Sequence, residues 1–441
     1  PNLSATFLDL QSNNDCFLHL SRGSKVSSFV LDESLSTYLT AKCSKEKLVA
    51  KRDAVTAISI RLPANTKSYN GSFAPFFNAF AIASVHISQV FTQFTEITFV
   101  IPDDANIYVM NGKTIMPGIV DAHAHIGGFR DGLTTQKHWQ FYANLAFGVT
   151  TAHDPSANTQ AVFALSELQK NGTLVGPRLY STGHILYGAE GDFKAVINSL
   201  DDARSSIKRT KAFGALSVKS YNQPRREQRQ QVLQAAREEG IFVVPEGGST
   251  FYHNMTMIMD GHTGVEHNIP IAPVYKDVIT LWGNSNTGYT PTLVVNYAGM
   301  SGEYYWYQNT NVWKNEKLLK YFPRGIIDSR SRHRTMVPQE EYDNGYVATS
   351  KVCKALTDVG VKVNLGAHGQ LQGMAAHWEL WMLQQGGMTN MEALRAATLN
   401  GAEYIGAGND IGSLKIGKLA DLILLDKNPL ENIRNTESVI Y

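Results

Sequence analysis

Residues 116–128 read MPGIVDAHAHIGG: a short apolar run, two histidines one residue apart, then two glycines. In a strand, residues i and i+2 point to the same side, so His123 and His125 present both imidazoles to one point. Converging neutral imidazoles suit a divalent metal. Taken alone, they could equally be two polar residues ending a strand. The rest of the chain decides, because GIVDA (118–122) is the first of eight similar runs. The others are VTTAH (149–153), RLYST (178–182), ALSVK (215–219), IFVV (241–244), TGVEH (263–267), YTPTLVV (289–295) and VKVNL (361–365). Between them lie amphipathic segments such as DDARSSIKRTKAFG and REQRQQVLQAAREEG, the second closed by Gly240 as a helix C-cap. Repeated βα units of this kind predict an α/β fold, a TIM-like (β/α)8 barrel. A doubly wound sheet would carry a glycine-rich nucleotide turn after its first strand, where this chain has HAH.

Composition agrees with a globular enzyme-sized chain. Of 441 residues, 43% are hydrophobic and 18% charged, enough to bury a large core. Forty basic residues against 39 acidic ones leave no charge excess to recruit nucleic acid or an anionic membrane. Three scattered cysteines exclude a disulfide framework and a cysteine-rich zinc site. The longest apolar stretch, residues 73–91, is interrupted by Asn78, Ser84, His86 and Ser88, so no membrane span is expected. The sequence begins at Pro1, where no targeting segment can be read, and location stays open between cytoplasm and export.

The expected organisation is an N-terminal region 1–115, a catalytic barrel 116–406 and a C-terminal return 407–441. FTEITFV and NIYVMNGKTIM before the barrel, and the apolar strand in IGSLKIGKLADLILLD after it, are expected to pair as a small β-sandwich. Residues 31–53 show no consistent period. Residues 297–347, with GEYYWYQNTNVW, exceed an ordinary connection and are expected to form a substrate-side wall or subunit contact, surface packing being the other reading. GSLKIGK at 412–418 nearly spells a phosphate-binding loop. Leu419 stands where Ser or Thr should follow, and a strand comes next instead of a helix, so it is rejected. His377, between tryptophan-bearing helical turns, reads as packing.

On a barrel, the residues to inspect are those at strand C-terminal ends. They are His123, His125, His153, Asp154, His184, Lys219, Glu246, His267 and His368. So consistent a gathering of histidines at strand ends points to a metal-centred site.

GKTIMPGIVDAHAHIGG, AFGVTTAHDPS, the spacing of VPEGG to GVEHN, and MEALRAATLNGAEYIG followed by IGSLKIGKLADLILLDKNPL together resemble the amidohydrolase superfamily. The resemblance covers about 112–441 and is strongest to amidohydrolase domains fused behind TolB-type propellers. It implies one or two divalent ions per chain, usually zinc, with manganese or iron as alternatives, and a small-molecule substrate. His123, His125 and His267 fill ligand positions, and Lys219 stands where a carboxylated lysine often bridges two metals. Two positions depart from the family pattern. Glu246 replaces a histidine, and His368 replaces the aspartate that usually takes the proton from attacking water. Both can ligate metal and both can move protons. Glu246 is the expected base, with His368 as ligand or hydrogen-bond partner. His153, Asp154 and His184 are expected around the ligands or against substrate.

The expected activity is hydrolysis of a C–N bond in an amide, cyclic amide or peptide-like substrate by metal-activated water. The rivals are a lactone, phosphoester or carbamate hydrolase on the same centre, and a barrel that binds without turnover. A homo-oligomer is compatible with the sequence.

Overall fold

The computed structural model describes residues 18–22, 27–31, 55–61, 86–93, 96–102, 112–127, 129–130, 133–134 and 137–440, the last without 224, 249, 333–335 and 416. Two compact units divide the chain, Pro1–Val109 and Met110–Tyr441. In the first, Leu18–Arg22 pairs antiparallel with Ser27–Leu31, and Glu96–Pro102 is the centre of a three-stranded antiparallel sheet between Val55–Arg61 and Gln89–Gln93. Ile97, Phe99, Val100 and Ile101 are buried there, so FTEITFV is a strand over its residues 96–100. Most of 31–53 and the first half of NIYVMNGKTIM lie outside the described residues.

The second unit is built from parallel strands alternating with helices. Ile119–Asp121, Val149–Asp154 and Arg178–Ser181 run side by side in parallel. Ile185–Tyr187 continues to Ser217–Ser220 and then Phe242–Pro245. Gly264–Glu266 pairs with Gly288–Thr290, and a parallel bridge joins Glu246 to Glu266. A second bridge joins Tyr289 to Val363, and the Ala122 N–H donates to the Leu365 carbonyl at 2.9 Å, bringing the last run back to the first. Short runs suffice because their residues are buried on both faces. The helix over Arg226–Glu239 ends as expected at Gly240, in the left-handed region with φ of 67°. Leu422–Leu425 pairs antiparallel with Thr114–Pro117, so the two ends of this unit meet in one ladder.

One expectation needs correction. YTPTLVV is a strand only to Thr290. Pro291 offers no N–H to a ladder, Thr292 is left-handed, and Leu293–Val295 is a 3-10 turn. Residues 297–347 are built largely of helices, including Gly302–Asn309 and Arg324–Arg332, and so are more than surface packing. Their aromatic side packs inward, with Trp306 fully buried 5.2 Å from Trp381 and Tyr307 5.4 Å from Trp378 on the helix Met374–Gln385. His377 on that helix is a packing residue. Its Nε2–H donates to the Phe147 carbonyl at 2.8 Å, and Nδ1 accepts from Thr436 Oγ1 at 3.0 Å, with the ring fully buried. Among the described residues, no helix is long and apolar enough to cross a membrane.

Candidate metal centre

Four histidines from three parts of the second unit meet at the strand ends. His123 has ring centres 4.8 Å from His125, 4.7 Å from His267 and 5.1 Å from His368. One ring nitrogen from each of His123, His267 and His368 lies within 4.8 Å of the others. His125 Nε2 is 3.0 Å from His123 Nε2. The backbone bends sharply to achieve this: His125, His267 and His368 have φ of 35°, 65° and 57°, and the neighbouring Thr292 has 48°. Such left-handed conformations cost non-glycine residues about 1–3 kcal/mol each. Gly369 follows at φ of 69°, where a Cβ would lie 2.5 Å from the His125 carbonyl oxygen and 2.6 Å from that of Ala124. Only glycine lets the last strand end approach the first so closely.

The other ring nitrogens are anchored from behind. His123 Nδ1 pairs with buried Glu266, whose second oxygen accepts from the Tyr404 hydroxyl. His267 Nδ1 lies 2.7 Å from Thr292 Oγ1, and His125 Nδ1 lies 3.5 Å from Asp154. Each arrangement leaves Nε2 directed at the cluster, the usual support of a metal-binding imidazole. Asp121 Oδ1 accepts the backbone N–H groups of His123 and Ala367 at 3.2 and 3.0 Å, tying the first strand end to the last. Burial lifts its carboxyl to about 6 despite those donors. Burial also lowers His123 well below the usual histidine value, with Lys219 adding to the effect. His267 is lowered by burial against the opposing pull of Glu246. His368 falls to about 2 through burial and then its histidine neighbours. The imidazoles of His123, His267 and His368 are therefore neutral at neutral pH, the form that ligates.

Beside the cluster, Lys219 Nζ lies 2.5 Å from Glu246 Oε2, and Glu246 Oε1 lies 3.2 Å from His267 Nε2. Both residues are buried, at 1% and 8% exposure. Burial by itself would raise the Glu246 carboxyl, but Lys219 and His267 outweigh it and hold the group well below the carboxylate range. Tyr297 stacks on His267 with ring centres 4.6 Å apart.

The remaining expected site residues divide. Asp154 backs His125 and accepts the Ser156 N–H at 3.1 Å. His153 points away from the cluster. Its Nδ1–H donates to the Ala122 carbonyl at 3.0 Å, and Nε2 accepts from Ser217 Oγ at 2.9 Å, so both nitrogens bind strands together. His184 faces Phe193, 6.2 Å between ring centres, and is not among the rings in contact with the cluster. Sequence reasoning missed Asp121, Glu266 and Tyr404. The first two were visible beside ligands in VDAHAH and VEHN; Tyr404 had no local signal.

The donor set fits a divalent cation. It has the buried imidazoles of His123 and His267, with carboxylate and hydroxyl support behind them, and half-buried His368, whose buried Nδ1 has no hydrogen-bond partner among the described residues. Residues 114–440 match the model of the amidohydrolase family, and the chain belongs to that family. Ochratoxinase of Aspergillus niger is 24% identical over 348 residues, covering 73% of this chain and 72% of that protein. Its crystal structure superposes with a TM-score of 0.53 at 20% identity, covering 74% and 80% of the two chains. A Xaa-Pro dipeptidase with bound methionine gives 0.55 at 20% identity, over 77% and 89%. Bottromycin amidohydrolase gives 0.56 at 17% identity, over 74% and 75%. At these identities the likeness is one of fold, a TIM-like barrel, while family membership marks a hydrolase.

Proposed function

We propose that this chain is a metal-dependent amidohydrolase that cleaves a C–N bond in a small amide, cyclic amide or peptide-like substrate. The observation that carries the reading is the convergence of His123, His267 and His368 in a member of the amidohydrolase family. These three would hold a divalent ion, zinc by preference, with His125 completing the nest and leaving a second ion open. Such an ion, when bound, polarises the scissile carbonyl and makes water acidic. Glu246 meets His267 at Nε2, on the cluster side of the ring, whereas Glu266 and Asp154 support their histidines at Nδ1, and its two neighbours keep it ionised. It would accept the proton of the attacking water and return it to the leaving nitrogen. Its oxygens are both engaged, so this role requires one contact to loosen. His368, with an unengaged Nδ1, is the ligand or hydrogen-bond partner.

Lys219 would serve, once carboxylated, as a further ligand bridging two ions, whose charge would offset both the carbamate and Glu246; in metal-free protein its ammonium pairs with Glu246 instead. The strand links support closure into a (β/α)8 barrel over 116–406, and the ladder between Thr114–Pro117 and Leu422–Leu425 supports pairing of the segment just before the barrel with the C-terminal return 407–441.

The test is elemental analysis of protein purified without chelator, joined to turnover of an amide and ester panel. One or two equivalents of metal are expected, lost in the double variant His123→Ala, His125→Ala. Activity should vanish on chelation and return with zinc or manganese. Glu246→Gln should keep metal and lose turnover at least a hundredfold, while His368→Asn should lose metal affinity as well. No metal and no uptake on titration refutes the site; metal without turnover of any substrate leaves a binding module.

A further inference from the structure

One fully buried acid has no part in the chemistry described above: Glu379, on the helix Met374–Gln385. Both of its oxygens go to a single turn. Oε1 accepts the Leu293 N–H at 2.8 Å and Oε2 accepts the Val294 N–H at 2.9 Å. The first amides of a helical turn have no partner within it, and a buried carboxyl without donors is costly. Each group therefore supplies what the other lacks, across 86 and 85 positions of chain.

That turn, Leu293–Val295, is entered through Thr292, whose backbone is left-handed at φ of 48°. A β-branched residue does not keep this conformation unaided. Glu379 fixes the two amides that follow Thr292, and the Val295 N–H donates back to the Thr292 carbonyl at 3.0 Å. Gly366 closes in on the side chain itself. A Cβ there would lie 2.6 Å from Thr290 Cγ2 and 3.2 Å from Thr292 Cγ2. So held, Thr292 places Oγ1 2.7 Å from His267 Nδ1. The His267 backbone is fixed by its own N–H, which donates to the Thr290 carbonyl at 2.8 Å, but the tilt of the ring is left to Thr292. A hydroxyl both donates and accepts, so it supports the ring whichever nitrogen carries the proton.

We propose that Glu379 is a positioning residue for His267: it holds the Thr292 turn in its left-handed form, and Thr292 in turn holds the imidazole with Nε2 toward the other histidines. The proposal rests on the metal-centre reading of the site. Without the two acceptor oxygens, Thr292 relaxes toward ordinary dihedral angles, its hydroxyl leaves Nδ1, and the ring is free to turn away from His123 and His368.

Zinc titration of the metal-free full chain, in competition with a chelating dye, reads this without turnover. Thr292→Val keeps the shape and removes the hydroxyl, and Glu379→Leu removes both acceptors. Each should weaken zinc binding by about tenfold or more, the scale for residues that support a ligand. Glu379→Gln keeps one acceptor oxygen and should fall between Glu379→Leu and wild type. The double variant Glu379→Leu, Thr292→Val should bind within about threefold of the weaker single variant, because both act through one contact. Leu383→Ala, at a fully buried position on the same helix, is the control for general loosening. It should bind zinc within about threefold of wild type, and amide exchange at Leu293 and Val294 should rise in Glu379→Leu but not in this control. Unchanged zinc affinity in Glu379→Leu, losses that multiply in the double variant, or an equal loss in Leu383→Ala overturns the proposal and leaves the metal centre standing. If Glu379→Leu does not fold, Glu379→Gln combined with Thr292→Val decides by the same comparison. Wild-type protein that takes up no zinc refutes the metal centre, and the proposal with it.

Discussion

Replacing Glu246 by glutamine preserves the side-chain shape and removes one charge, and the structure says what that charge supports. Lys219 is 1% exposed and its Nζ has Glu246 Oε2 at 2.5 Å. Glutamine leaves the ammonium buried with a neutral amide oxygen as its partner. Removing one member of a buried pair costs about 3–5 kcal/mol. Glu246 retains 8% exposure, through which water can partly solvate the lysine, so the lower end, about 3 kcal/mol, is expected. The assay is urea unfolding of metal-free protein followed by tryptophan fluorescence. All six tryptophans lie in the unit that holds the site. The double variant Lys219→Met, Glu246→Gln carries no stranded charge and should recover at least about 2 kcal/mol, read as coupling in a double-mutant cycle. A Glu246→Gln protein as stable as wild type, or more so, refutes the reasoning. It would mean that Lys219 carries no positive charge there, as a carbamate would not.

Four further outcomes follow from the same geometry. Burial pushes the Glu379 carboxyl up to about 8, against the lowering effect of the Leu293 and Val294 N–H groups that it accepts at 2.8 and 2.9 Å. Its contribution to stability is complete below the unfolded value near 4.5 and is lost as pH rises toward 8, at up to about 1.4 kcal/mol per unit. Urea midpoints from pH 5 to 8 should fall in wild type and fall less in Glu379→Gln. His153→Ala should lower stability by about 1–3 kcal/mol, by leaving the Ala122 carbonyl and Ser217 hydroxyl unpaired, with metal content unchanged. His184→Ala should leave metal content unchanged too, whereas Gly369→Ala, forced against two carbonyl oxygens, should lose it along with stability, as metal analysis and thermal unfolding together would show.

What the sequence made legible was whatever is local. The HAH pair is readable because strand side chains repeat every two residues, and Glu246 and His267 because each ends a β-like run. The orientation of His153 was not readable. It follows the same kind of run, yet its ring turns to Ala122 and Ser217. The supporting residues were hidden by distance along the chain. Glu266 meets His123 across 143 positions, Tyr404 meets Glu266 across 138, and Asp121 meets Ala367 across 246. Nothing in a window of ten or twenty residues marks such pairs. In the aromatic segment after residue 297, the choice against surface packing was unreadable for a related reason, because the helix Met374–Gln385 that covers Trp306 and Tyr307 lies far along the chain.

The left-handed backbone at His125, His267 and His368 bears on how this chain would change if its chemistry were no longer selected. At each position the imidazole is kept where glycine or asparagine would fit the dihedral angles with less strain. Selection for stability alone would thus erase the three histidines first, and in a direction that can be named. Descendants freed from catalysis should accumulate glycine or asparagine at these positions while keeping the buried strand residues around them. A lineage that keeps all three against that drift is one in which the imidazoles are still used.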